Sequence, residues 1–383
     1  MKYLLQIQNM RLFFLALISI MRYGNRTTVL TRQPKKILVV QLSKIGDMVC
    51  ITPLLRAIRE NLPETKIMVL GDAINRDVLK GNPDVDEYII FKREHLFEIV
   101  QKLKREHIEF ACIRGIGFIG LITALLSGIP TIVTGRVHPE MSYATRTYRG
   151  LLPFVQTVTF MQGEYMPRQF LKLLEPLGIY ATDTTKYLYH TEEAERSARS
   201  LLEECADTDF IIGISASAGN RVKEWPAERF GEVADYIVQK YHARIVLLGG
   251  SNDATRIEKV LVHMKYKAEA LNLQGKCSMD VLKAVIAKLD LFISADTGPI
   301  YIAEAFGVST IDITGPIDEK EQPPIGEKNI VITPPARKKP ELYVLNARGY
   351  NLKEARRQAE SITVSMVTDA FDALYPRISK GHE

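Results

Sequence analysis

Leu291-Phe292-Ile293-Ser294-Ala295-Asp296-Thr297-Gly298-Pro299-Ile300-Tyr301 reads as a strand, a turn and the opening of a helix. The apolar run 291–293 predicts a short buried strand, and Pro299 suits the first turn of the helix that follows. Between them, Gly298 lets a bulky anion approach the backbone, while the free amides and dipole of the helix start favour negative charge. A second strand over 310–313 closes the unit and runs into Thr314-Gly315-Pro316. Such a unit belongs to a parallel α/β sheet, with an anion cradle at the mouth of the strand.

Outward from this stretch the same rhythm repeats. The first half predicts strands over 37–41, 66–70, 87–91, 110–113 and 131–134, with helices such as 53–61 and 96–106 between them. The second half restarts with a strand over 210–214, then a helix over 227–241, a strand over 243–248 and helices over 254–265 and 279–288. Two Rossmann-like domains are implied, joined near 183–193, where both signals fade. A last helix over 353–374 follows the polar, proline-rich stretch 322–340 and is a candidate to cross back onto the first domain.

At 383 residues the chain has room for two ordinary domains, and its 46% hydrophobic and 25% charged residues are typical of globular proteins. A formal charge of +5 is too mild to argue for nucleic acid. Its distribution says more: no Asp or Glu precedes Asp47, whereas Lys2, Arg11, Arg22, Arg26, Arg32, Lys35, Lys36 and Lys44 all do. The apolar run 12–21 inside this basic arm is too short to span a bilayer. It reads as an interfacial anchor or as a surface helix packed on the body. A secretory signal fits less well, because no small-x-small site follows Met21 and the flank Arg22-Tyr23-Gly24-Asn25-Arg26 is basic. The four cysteines form no Cys-x-x-Cys pair, which favours reduced thiols and argues against a zinc site.

Several constellations can carry chemistry. Asp47 follows the first strand in Leu42-Ser43-Lys44-Ile45-Gly46-Asp47, at the end of the sheet where open α/β proteins bind ligands. It suits a general base for a hydroxyl, or a cap on the adjacent turn. Ser217 and Lys223 lie in the small-residue loop 215–226 after the first strand of the second half, where hydroxyls, free amides and one cation suit a diphosphate. Asp253, after Leu248-Gly249-Gly250, suits ribose hydroxyls or the N-cap of the next helix. Arg136, His138, Arg146 and Arg149 cluster around Tyr143 and Tyr148 and suit an anionic acceptor, or else form a solvated loop. Gly115-Ile116-Gly117-Phe118-Ile119-Gly120 matches a dinucleotide fingerprint, yet no acid for a ribose ends the next strand, so packing glycines explain it better.

Lys44-Ile45-Gly46-Asp47, Lys223-Glu224-Trp225-Pro226-Ala227-Glu228-Arg229-Phe230, Leu248-Gly249-Gly250 and Asp296-Thr297-Gly298-Pro299, in that order, resemble glycosyltransferase family 9, the lipopolysaccharide heptosyltransferases. The resemblance spans 36–316 and implies a GT-B fold, two Rossmann-like domains facing across a cleft. The implied division is a basic, apolar arm over 1–35, an acceptor domain over 36–190, a nucleotide-sugar domain over 191–350 and a terminal helix within 351–383.

The resemblance also implies inverting, metal-independent transfer of heptose from ADP-heptose to a lipopolysaccharide core or lipid-linked acceptor, without a cofactor or a nucleic-acid partner. The expected location is cytoplasmic, with peripheral contact at the inner face of the membrane. The family's catalytic Asp falls on Asp47, its phosphate-contacting Lys on Lys223, and its donor loop on Asp296, Thr297 and Gly298. Family members commonly carry His where this chain has Tyr301, and the basic arm is an extension. The alternatives are a related transferase using another nucleotide sugar, a nicotinamide oxidoreductase using Gly115, Gly117 and Gly120, and a catalytically silent binding protein at a membrane.

Overall fold

The computed structural model describes residues 2–137, 145–208, 210–345 and 349–379. The chain divides into two compact units, Met1–Arg76 with Asn82–Thr185, and Asp77–Gly81 with Lys186–Glu383. Each unit contains one six-stranded, wholly parallel sheet.

The first sheet comprises β1 (Lys36–Gln41), β2 (Lys66–Gly71), β3 (Glu87–Ile90), β4 (Phe110–Ile113), β5 (Thr131–Arg136) and β6 (Gln156–Thr159), in the order β3-β2-β1-β4-β5-β6. The second comprises β7 (Ile211–Ser215), β8 (Arg244–Leu247), β9 (Ala270–Asn272), β10 (Leu291–Ala295), β11 (Ser309–Ile313) and β12 (Asn329–Ile332), in the order β12-β11-β10-β7-β8-β9. Counted from its own first strand, each sheet has the doubly wound order, which reverses once, between β1 and β4 and between β7 and β10. Ligand sites in such sheets lie at those reversals, beyond the carboxyl ends of the strands.

The central strands are near-continuous apolar runs because helices cover both faces of each sheet. All of β4 and all of β10 are buried. Helix Thr52–Asn61 starts with proline in its first turn and buries Leu54, Leu55, Ala57 and Ile58. Helix Ala227–Tyr241 buries Phe230, Val233, Ala234, Ile237 and Val238, one stripe at helical spacing. It ends where His242 turns left-handed at φ 55°.

Three strands escaped the apolar pattern: β6, β9 and β12. All three lie at sheet edges and are only partly buried; β6 and β9 are short and mixed in polarity, whereas β12 carries the apolar run Ile330-Val331-Ile332 and was passed over inside the polar, proline-rich stretch. The single helix expected over 353–374 is instead two, Leu352–Ser361 and Val364–Ser379. Both pack within the second unit. Ile362, Val367, Phe371 and Leu374 join its core, Trp225 Nε1 donates to the Ile362 carbonyl at 2.9 Å, and Asp372 accepts from the hydroxyls of Tyr236 and Tyr241.

The basic arm packs on the body, one of the two readings its sequence allowed. Helix Lys2–Tyr23 buries Leu12, Ala16 and Ile20 in the core of the first unit, and the following residues form bridges between Arg26 and Val155 and between Thr27 and Thr131.

Phe371→Ala should destabilise the second unit by about 3–5 kcal/mol through the cavity it leaves. Urea unfolding followed by the fluorescence of Trp225, the chain's single tryptophan, measures it.

Candidate functional site

In the first unit the chain leaves β1 through Leu42 to Lys44 and enters the short helix Ile45–Val49, which carries Asp47 beside the reversal of the sheet. The loop is fastened from below by buried Gln41, whose side chain accepts from the Ser43 amide at 3.0 Å and donates to the Asp47 carbonyl at 3.1 Å. The Asp47 carboxylate itself accepts from Arg114 Nη2 at 2.6 Å. Arg114 follows β4 directly, on the other side of the reversal, and its side chain is only 3% exposed. Its guanidinium lies 4.4 Å from the centroid of the Phe170 ring, and Nη1 donates to Ser43 Oγ at 3.4 Å. Asp47 remains about a quarter exposed, at 23% for its side chain, so one carboxylate is both oriented and reachable.

Arg114 was not singled out from the sequence. The available signal was a cation placed immediately after a four-residue apolar strand. Of the three glycines in the 115–120 motif only Gly120 is a packing position, where a Cβ would stand 3.1 Å from Val40 Cγ1, tighter than an ordinary contact; a Cβ on Gly115 or Gly117 would meet nothing within 4 Å, and Gly115 serves instead at φ 91°.

In the second unit the reversal lies between β7 and β10, and the loop 216–226 and the turn 296–298 emerge beside each other there. Lys223 Nζ donates to Asp296 Oδ2 at 2.6 Å and to the Asp296 carbonyl at 2.7 Å. An ammonium has three hydrogens, so two hold the turn and the third is available to an anion. Thr297 is extended, at φ −148° and ψ 169°, and precedes helix Gly298–Ala305, whose first turn contains Pro299. Ser217 Oγ is buried without a hydrogen-bond partner among the described residues. Arg256 binds the Ala216 and Trp225 carbonyls and pairs with Glu224 at 3.1 Å, which fixes the loop that carries Ser217 and Lys223.

Tyr301, one turn into the helix, donates its hydroxyl to Asp296 Oδ1. Both carboxylate oxygens of Asp296 are therefore engaged, one by Lys223 and one by Tyr301. The phenol does locally what an imidazole nitrogen can do as a donor, and it keeps Asp296 directed inward. Lys186 and Glu304 form a buried pair at 2.7 Å behind it, and burial pushes the Glu304 carboxyl up despite that partner.

Asp312 was not singled out as a site residue, although an acid inside the strand Ser309–Ile313 is an evident anomaly. It is completely buried and stands opposite Ser294 in the register. Desolvation, reinforced by Asp296, pushes its carboxyl well above the usual carboxylate range.

Asp253 does not cap the helix Ala254–His263; its Oδ2 accepts from the Gly250 amide at 2.7 Å, closing the turn after β8. Arg136, Arg146 and Arg149 are exposed at the end of β5 and on helix Arg146–Leu151. Tyr148 ties that helix down by donating to the Gly135 carbonyl at 2.7 Å. His138, with Tyr143, lies outside the described residues. Among the described residues, no group of three or more His, Cys, Asp or Glu side chains is arranged to hold a metal ion.

The family profile described as glycosyltransferase family 9 (heptosyltransferase) matches residues 131–348. Lipopolysaccharide heptosyltransferase 2 of Escherichia coli strain K12 is 25% identical over 313 residues, covering 78% of this chain and 87% of that protein. The solved glycosyl transferase family 9 protein from Veillonella parvula DSM 2008 superposes with a TM-score of 0.76 at 22% identity, over 91% of this chain and 99% of that one. The E. coli ADP-heptose lps heptosyltransferase II structure gives 0.71 at 21% identity, over 89% and 99%. The two doubly wound sheets are thus those of a GT-B fold.

Asp312 makes stability pH-dependent with a definite sign. The folded state keeps a proton that the unfolded chain releases above pH ~4, so stability falls as pH rises from there toward the raised folded pKa, by at most ~1.4 kcal/mol per unit. Asp312→Asn should flatten that slope and gain on the parent between acid and neutral pH. Urea midpoints read from Trp225 across that range measure it, and an unchanged slope would mean that Asp312 is ionised in the fold.

Proposed function

The chain belongs to glycosyltransferase family 9, and on that footing we propose that it transfers heptose from ADP-heptose to a lipopolysaccharide core acceptor. The transfer is one inverting displacement that needs no metal ion. The observation that carries this reading is Lys223 held against Asp296 beside the start of helix Gly298–Ala305, at the reversal of the second sheet. A departing nucleoside diphosphate gains negative charge as the sugar bond breaks. A half-buried ammonium with a hydrogen to give, the orphan hydroxyl of Ser217 and the amides of a helix start are what stabilise such charge. These groups supply what a divalent cation would otherwise provide.

The second unit would bind the donor and take up the leaving group, through Ser217, Lys223, Asp296, Thr297 and Gly298. Asp47 of the first unit would accept the proton of the attacking hydroxyl, its oxygen held on line by Arg114. Asp253, already engaged with the Gly250 amide, would act on the donor through the shape of its turn. Arg136, Arg146 and Arg149 would meet phosphate or carboxylate groups of the acceptor, with His138 beside them in the sequence. The enzyme would work in the cytoplasm, against the inner face of the membrane where such an acceptor is presented.

Asp47→Asn should keep donor binding and lower turnover by about 10²–10⁴-fold, the usual contribution of a general base. Nucleotide release from a panel of nucleotide sugars with core acceptors reads this directly. ADP release from ADP-heptose is the expected result, and unaltered turnover in the variant removes Asp47 from the mechanism. Lys223→Ala should instead weaken donor binding and slow transfer together, since the lysine also fixes the Asp296 turn.

A further inference from the structure

Helix Lys2–Tyr23 packs one face into the first unit and presents a second apolar face that none of the described residues covers. Leu12, Ala16 and Ile20 are buried, Ser19 Oγ donates to the Leu125 carbonyl at 3.2 Å, and Phe13 packs 3.2 Å from where a Cβ on Gly150 would stand. On the other side Met10, Phe14, Ile18 and Met21 are 55%, 58%, 54% and 78% exposed. Their spacing of four, four and three residues sets them in one line along the helix. Arg11 and Arg22, both exposed and about three turns apart, run beside that line. Helices on the surface of a soluble unit ordinarily turn a polar face outward, and a contiguous exposed apolar stripe marks an interaction site.

We propose that this outer face is a docking surface for an anionic lipid bilayer, on which the helix lies flat with Met10, Phe14, Ile18 and Met21 inserted among the acyl chains. No helix among the described residues is long and apolar enough to cross a membrane, so the mode is interfacial. Charge selects the occupant. With no Asp or Glu anywhere before Asp47, a second copy presenting the same helix would bring Arg11 and Arg22 together without a carboxylate of that helix to pair them. Lipid phosphates supply the missing negative charge along the edge where Arg11 and Arg22 stand. The buried face, fastened through Ser19 and Arg26, gives the inserted face a fixed orientation relative to the first unit.

The inference does not depend on which sugar is moved, and its test uses no sugar at all. Co-sedimentation of the full chain with vesicles of mixed phosphatidylcholine and phosphatidylglycerol, against pure phosphatidylcholine, should show binding only to the charged vesicles, with loss at high salt. Phe14→Ser with Ile18→Ser should abolish it. Arg11→Gln with Arg22→Gln should lower partitioning about 25-fold, at roughly fivefold per cation near an anionic surface. Trp225 fluorescence and nucleotide release without vesicles check that each variant is folded. Failure to bind the charged vesicles, binding that survives the Phe14 and Ile18 changes, or vesicle-free self-association abolished by those changes overturns the proposal.

Discussion

A parallel sheet covered on both faces leaves an ionised side chain only one comfortable place, the end of a strand, and each half of this molecule is organised around that restriction. Inside β4 and β10 every residue is buried, so the first charged or polar groups able to meet a ligand are those just beyond the carboxyl ends. The doubly wound order then separates the loops at one point in each sheet. Asp47 and Arg114 emerge at the first of these points, Lys223 and Asp296 at the second.

Both pairs consist of a charge that is nearly buried and one that is less so. Burying an ion costs several kcal/mol, and an attraction at close range recovers this only with good geometry and further hydrogen bonds. Arg114 meets those conditions through Asp47, Ser43 and the face of Phe170. Asp296 meets them through Lys223 and Tyr301. What such pairs contribute is a single fixed direction for the reactive oxygen or ammonium, which matters for a reaction limited by alignment. Asp312 shows the opposite solution to the same restriction: burial first and Asp296 second push its carboxyl well above the usual carboxylate range, and Lys223 offsets only part of this.

Much of this was legible in the residues. Alternation of apolar runs with helical stripes gave the α/β class, and helix Ala227–Tyr241 was read to its ends because its stripe is buried along its whole length. Of the four edge strands only β3 was read; β6 and β9, half open to solvent, have no reason to be uniformly apolar, and β12 carries a three-residue apolar run set in polar, proline-rich sequence. The terminal helix read as one because its apolar spacing runs through 362; the break there answers to Trp225 and Arg229, which both bond the Ile362 carbonyl. Helix Lys2–Tyr23 seemed ambiguous for a sound reason: it is apolar on two faces, and one of them belongs to the core.

The sequence alone determined nine of the twelve strands, where the glycine and proline turns fall, and which residues have the right chemistry to hold a diphosphate or take a proton. Those properties are local, fixed by side-chain size, backbone freedom and periodicity over a few residues. Only the tertiary structure decided the partners. Arg114 is 67 residues from Asp47 in the chain, and Lys223 is 73 from Asp296; each pair meets because strands distant in sequence are neighbours in a sheet. Tyr301 likewise passed from a departure in a motif to a hydrogen-bond donor once the helix turned its hydroxyl onto Asp296. Partnership at a strand end is a property of strand order, and strand order is settled by packing of the whole sheet.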